Sequence, residues 1–292
     1  MYKRNAVGKL ALKVLGLYVA IVLSAAFFQR SLIYFPAAEG KLLPSDFGMG
    51  FEKISIPAPV GPTRHGWFAH RNSAEKSAEK SAKKSIQQSQ RGVVVYCQGN
   101  GGALSDRAKV TALFDSIGLD TIMLSYRGYG DSGFGQITPN EAHIYEDAQA
   151  AYDFARARFP ERKIIVWGHS LGAAAAAYLG TKNHPAAVIL ESPFASISAM
   201  VPVRYPWLWV PEFLVRDKFP TIEYVTKINA PLLVLVAQLD TIIPPSQGAQ
   251  VFANAKQPKT FLPLTGINHN ELPDTFDNFR ESISQFIRKS VS

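Results

Sequence analysis

The stretch Lys163-Ile164-Ile165-Val166-Trp167-Gly168-His169-Ser170-Leu171-Gly172-Ala173-Ala174-Ala175-Ala176-Ala177 decides the reading of this chain. It opens on an apolar run of strand length and ends in alanine, the best helix former. Between them stands a serine with glycine two residues to either side. Where a strand turns directly into a helix, the turn is so tight that a Cβ at either flanking position would clash, and glycine is required twice. The helix start behind Ser170 also offers N–H groups without intrahelical partners and the positive end of its dipole, both suited to a developing oxyanion. The N–H of Leu171, the residue after the serine, is the first of these donors.

Strand and helix signals alternate outward from this point. Val93 to Cys97, Thr121 to Tyr126, Ala187 to Leu190, Leu232 to Val236 and Phe261 to Leu264 read as buried strands. Thr138-Pro139-Asn140-Glu141 reads as a helix start, with a capping hydroxyl, proline at the first position and a returning glutamate, and the helix runs to about Arg158. A final helix from Asp274 to Arg288 carries Phe276, Phe279, Ile283, Phe286 and Ile287 on one face. Such alternation implies an α/β fold, a largely parallel sheet covered on both faces. Upstream, Phe51 to Ile56 and His65 to Ala69 read as an antiparallel hairpin.

A serine hydroxyl is a poor nucleophile without a base, and elbows of this kind order their partners serine, acid, histidine along the chain. Of six histidines, His65, His70 and His143 precede Ser170, His169 adjoins it, and His184 sits in a loop before a strand. His269, after the last strand and before the final helix, is the candidate base. Asp240, at the carboxyl end of the Leu232 to Leu239 run, is the candidate acid, with Glu191 the runner-up. In that assignment Asp240 orients His269, and His269 takes and returns the proton of Ser170. Gln98-Gly99-Asn100-Gly101-Gly102, after an earlier strand, is the loop that brings backbone close to a ligand, and Asn100 is the candidate second oxyanion donor. Gly128-Tyr129-Gly130-Asp131-Ser132-Gly133 spells the dinucleotide fingerprint, but no helix opens directly after it, so it reads as a loop.

With YCQGNGG, SYRGYGDSG, GHSLG, ESPF, LDTIIP and NHNEL spread from Tyr96 to Leu272, the chain resembles the α/β-hydrolase family. It looks most like single-pass, membrane-anchored members with a serine-aminopeptidase-like core. The resemblance implies an eight-stranded, mostly parallel sheet and hydrolysis of an ester, thioester or amide through an acyl-enzyme. Gln98 stands where such proteins commonly carry histidine, and Ala237 where they commonly carry glycine. Residues 193–228, rich in aromatics and proline, read as a small cap over the site, and an apolar cover beside a membrane suggests acyl-chain substrates. No metal or organic cofactor is implied. A serine peptidase on the same three residues is one alternative, and a non-catalytic tethered binding protein the other.

Val14 to Phe28 carries no charge, and from Leu10 the run of nineteen residues makes about 28 Å of helix, close to a bilayer's hydrocarbon thickness. Lys3, Arg4, Lys9 and Lys13 crowd its N-terminal side, which places the N-terminus in the cytoplasm and the rest across the membrane. Residues 1–30 are thus an anchor and 31–292 the hydrolase domain; a signal peptide cleaved near Ser24-Ala25-Ala26 is the competing reading. The net charge of +8 is concentrated around this segment and the Ser/Ala/Lys/Glu-rich insert at 73–90, without a nucleic-acid signature, so no nucleic-acid partner is expected. A single cysteine, Cys97, excludes an internal disulfide and reads as a core residue.

Overall fold

The computed structural model describes residues 2–71, 92–271 and 278–291. The 73–90 insert, the expected helix start at Asp274 and Phe276 lie outside the described residues.

Eight strands form one sheet: β1 (Met49–Ile56), β2 (Arg64–Arg71), β3 (Gly92–Cys97), β4 (Leu119–Leu124), β5 (Ile164–His169), β6 (Ala187–Glu191), β7 (Leu232–Ala237) and β8 (Lys259–Leu264). Their order is β8-β7-β6-β5-β3-β4-β2-β1. Only the β1–β2 and β2–β4 pairings are antiparallel, so β2 alone runs against the other described strands. The central strands are buried at nearly every position and mostly apolar because both faces are covered, with Asp120, Thr121 and His169 as buried polar exceptions. On one face Val93 and Val95 meet α4 (Glu141–Arg158), α5 (Leu171–Lys182) and α8 (Pro245–Asn254). On the other, Val94 and Tyr96 meet α3 (Ala108–Ser116) and α9 (Phe279–Val291), whose Phe279, Ile283 and Ile287 are buried.

Two elements differ from their expected bounds for a polar reason. The strand expected over Thr121 to Tyr126 begins at Leu119, because Asp120, an unpromising strand residue, is neutralised by Arg162 at 2.6 Å. It stops at Leu124, where Tyr126 accepts the Tyr129 N–H and starts a turn. Helix α4 is capped by Asn140, which accepts the His143 N–H at 2.9 Å, and not by Thr138. The Glu141 carboxylate is committed elsewhere, to the N–H groups of Lys218 and Phe219 and to the Tyr145 hydroxyl.

Helix α1 (Tyr2–Phe27) contains an apolar span, Val7–Phe27, whose large side chains are mostly exposed. The chain bends at Phe28 and continues as α2 (Gln29–Ile33). Phe35–Pro36 then pairs in parallel with Gly101–Gly102, which ties the start of the domain to the loop after β3. Between β6 and β7 the chain forms α6 (Ile197–Arg204), a 3-10 turn at Glu212–Leu214 and α7 (Thr221–Tyr224). Tyr205, Leu208, Leu214 and Val215 of this segment face a cavity that also reaches Ser170.

Candidate active site

Ser170 sits between β5 and α5 with φ 57° and ψ −120°, a conformation rarely adopted by residues with a side chain. Its neighbours show how the fold holds it there. A Cβ on Gly168 would collide with the carbonyl of Gly172, and one on Gly172 with the carbonyl of Cys97. Strand and helix therefore approach to backbone contact, and the serine is pushed out at the crest.

His269 and Asp240 arrive on the loops after β8 and β7. His269 Nε2 lies 3.0 Å from Ser170 Oγ, and Nδ1 lies 2.6 Å from Asp240 Oδ2. A carboxylate only accepts, so Nδ1 carries the proton and Nε2 is left to accept from the serine hydroxyl. The other carboxylate oxygen, Oδ1, accepts the N–H groups of Ile242 at 2.9 Å and Ile243 at 2.7 Å. Burial opposes ionisation of Asp240, but the hydrogen bonds from His269 and these amides outweigh it and hold the carboxyl below its ordinary range. Glu191, the runner-up acid, instead accepts the indole N–H of Trp167 at 2.8 Å, and burial raises its carboxyl above the usual range.

Several supports went unseen in the sequence. His169 donates through Nε2 to the carbonyl of His269 at 2.9 Å and so holds the loop of the candidate base. Burial, reinforced by the nearby His269, pushes His169 down to about 3, so it stays neutral. Asn268 Oδ1 takes the N–H groups of His269 and Thr241, joining the two loops. Two tyrosines of the turn after β4 brace the loop after β3: Tyr126 donates to the Gln98 carbonyl at 3.1 Å and Tyr129 to that of Asn100 at 2.9 Å. That bracing loop is itself fixed by Arg127, Asp147 and Arg64, a buried charge group with contacts of 2.8 and 2.6 Å. The one signal for it in the sequence is an acid, Asp147, on the otherwise apolar face of α4.

Asn100 and Leu171 both border the cavity that reaches Ser170. Leu171 opens α5, where an N–H has no intrahelical acceptor. Two cavities meet at the serine. One, of about 370 Å³, is lined chiefly by apolar side chains from α1, α2 and the β6–β7 segment. The other, of about 340 Å³, is bounded by the 99–102 loop, Asp106, Arg107, His169, His269 and Asn270. Cys97 lies beneath the elbow with its thiol pushed up to about 12 by burial, which removes it as a nucleophile. Among the described residues no group of three or more His, Cys, Asp or Glu side chains is gathered to hold a metal ion.

Known proteins resemble this chain along most of its length. The serine aminopeptidase, S33, family matches residues 88–223. The α/β-hydrolase domain-containing protein WAV2 of Arabidopsis thaliana is 31% identical over 264 residues, covering 82% of this chain and 80% of the relative. This chain belongs to the α/β-hydrolase family. Another α/β-hydrolase-like relative, the lysophosphatidylserine lipase ABHD12 of Danio rerio, is 31% identical over 227 residues, covering 66% of this chain and 59% of the relative. Among solved α/β-hydrolase structures, the Pyrococcus furiosus esterase Pf2001 superposes with a TM-score of 0.67 at 16% identity, covering 89% of this chain and 98% of that one, which shows a shared fold.

Proposed function

We propose that this α/β-hydrolase is a membrane-anchored serine hydrolase that cleaves an acyl ester or thioester through an acyl-enzyme on Ser170. The observation that carries the reading is the chain of contacts Ser170 Oγ to His269 Nε2 at 3.0 Å and His269 Nδ1 to Asp240 Oδ2 at 2.6 Å. His269 takes the hydroxyl proton as Oγ attacks the acyl carbonyl, and Asp240 stabilises the imidazolium that forms. The backbone N–H groups of Leu171 and Asn100 receive the oxyanion. Collapse expels the alcohol or thiol with the proton from His269, and water repeats the sequence to release the acid.

The two cavities divide such a substrate. The apolar one suits an acyl chain, and the one edged by Asp106 and Arg107 suits a polar leaving group. Arg107 Nε is buried there with no hydrogen-bond partner among the described residues, which favours an anionic group such as a phosphodiester. The name of the zebrafish relative, a lysophosphatidylserine lipase, describes a substrate of that composition.

The apolar Val7–Phe27 span acts as the anchor, with the N-terminus in the cytoplasm and the catalytic domain across the membrane. The test is hydrolysis by the full-length protein in detergent of p-nitrophenyl esters of increasing chain length, beside Ser170→Ala. Turnover that improves with chain length and disappears in the variant supports the reading; turnover indifferent to Ser170 contradicts it.

A further inference from the structure

The end of α1 is part of the apolar cavity: Ala25 and Ala26 line it together with Gln29, Leu32 and Ile33 of α2. The opposite wall is the β6–β7 segment, and the two are fastened together at successive heights. Nearest the domain, Arg30 pairs with Asp217 at 3.0 Å, and Tyr34 donates to the same carboxylate at 3.1 Å. Beside them Gln29 donates to the Leu214 carbonyl, while the Arg216 guanidinium donates to the carbonyls of Ala26 and Phe27. Farther along α1, the Tyr18 hydroxyl accepts the Trp209 N–H at 2.9 Å and donates to the Trp207 carbonyl at 3.4 Å.

That last contact sets a depth. Tyr18 precedes Phe27 by nine residues, roughly 14 Å of helix at 1.5 Å per residue. Arg30, Arg216 and Asp217 mark the level of water, so Trp207 and Trp209 lie well into the apolar length of α1. Leu208 between them is buried toward the cavity, while their own side chains are 62% and 71% exposed and the nearby Phe213 is 83% exposed. Three outward aromatics close together beside an apolar helix are ill suited to water and well suited to lipid. Glu212, the one acid from Tyr205 to Val215, sits near Arg216 in the chain, toward the water end of the segment.

We propose that the Tyr205–Val215 stretch is immersed in the leaflet beside the end of α1, and that the cavity between them admits the acyl substrate sideways from lipid. The proposal rests on reading α1 as a membrane span and Ser170 as the acylated residue, and it adds a lipid-facing portal of which the anchor is one jamb.

The test uses the full-length protein in phosphatidylcholine vesicles whose acyl chains carry bromine, which quenches tryptophan on contact. Trp67 and Trp167 are buried in the domain core, so quenching by lipid reports Trp207 and Trp209. Quenching by brominated chains, weak quenching by aqueous iodide, and loss of the lipid effect in Trp207→Phe/Trp209→Phe are the expected results. Quenching by iodide and not by lipid overturns the proposal. None of these readouts needs turnover, so they are independent of whether Ser170 is a nucleophile. For the portal, Trp207→Glu/Trp209→Glu lowers hydrolysis of a long-chain ester in vesicles at least about tenfold. It leaves a short soluble ester unchanged; equal effects on both esters would overturn the route through lipid.

Discussion

The side-chain amide of Asn100 donates to the carbonyl of Ile33 at 2.7 Å, which ties the loop proposed to bind the oxyanion to the segment that follows the N-terminal apolar helix. The Phe35 N–H returns the connection by donating to the Asn100 carbonyl at 2.9 Å. Two truncations therefore separate two roles. Removing residues 1–30 spares these bonds, so short-ester turnover and Ser170 labelling persist while long-chain turnover falls. Removing residues 1–37 frees the loop and lowers kcat on every ester by a further 10²- to 10³-fold, about the cost of one oxyanion donor. Steady-state kinetics on a short and a long ester check both.

Asp240 predicts a kinetic and a pH effect. Asp240→Asn presents the wrong partner to His269 Nδ1 and should lower kcat by about 10⁴. The folded chain holds the Asp240 carboxyl below its ordinary value of about 3.9, so on acidification the unfolded chain takes up this proton first. Its contribution to stability is present above the ordinary value and is lost as pH falls through the folded one. Asp147 and Glu191, both raised by burial, act in the opposite sense, and the difference between wild type and Asp240→Asn isolates Asp240. Thermal unfolding from neutral pH to about pH 2 should show a shallower acid decline in the variant.

His169 is a positioning residue. His169→Ala removes the donor to the His269 carbonyl and should lower kcat by about 10²-fold through misplacement of the imidazole, with KM little changed. Because His169 is neutral throughout the working range, the pH–rate profile should keep its shape. His169→Gln, which keeps an N–H donor, should recover part of the rate.

What the sequence revealed and concealed follows from range. The elbow was legible because its requirements are local: apolar strand, glycine, serine, glycine, alanine helix. Asp240 and His269 stand out as candidates because each follows a readable strand in the expected chain order after Ser170, and the structure brings both to the serine. Asn140 was passed over as the cap of α4 because Thr138 and Glu141 match a capping box, and nothing nearby shows that Glu141 is held by Lys218 and Phe219, seventy-seven and seventy-eight residues away. The brace from Tyr129 to Asn100, the tie from His169 to His269 and the clasp of Tyr18 on Trp209 are likewise long-range contacts that leave no periodic trace.

Arg107 should set leaving-group preference. Arg107→Ala is expected to raise KM for a lysophospholipid with an anionic head about tenfold or more, the scale of a lost charge-assisted hydrogen bond, and to spare a neutral monoacylglycerol. Parallel assays of the two substrates distinguish recognition from a general loss of fold, which would lower both.

The central claim is that Ser170 is an activated nucleophile. It is tested most directly by treating the full-length protein with a fluorophosphonate probe and mapping the adduct by peptide mass spectrometry. The account predicts a single adduct on Ser170 that is lost in His269→Ala. A folded protein that stays unlabelled, or one labelled equally well without His269, would contradict it.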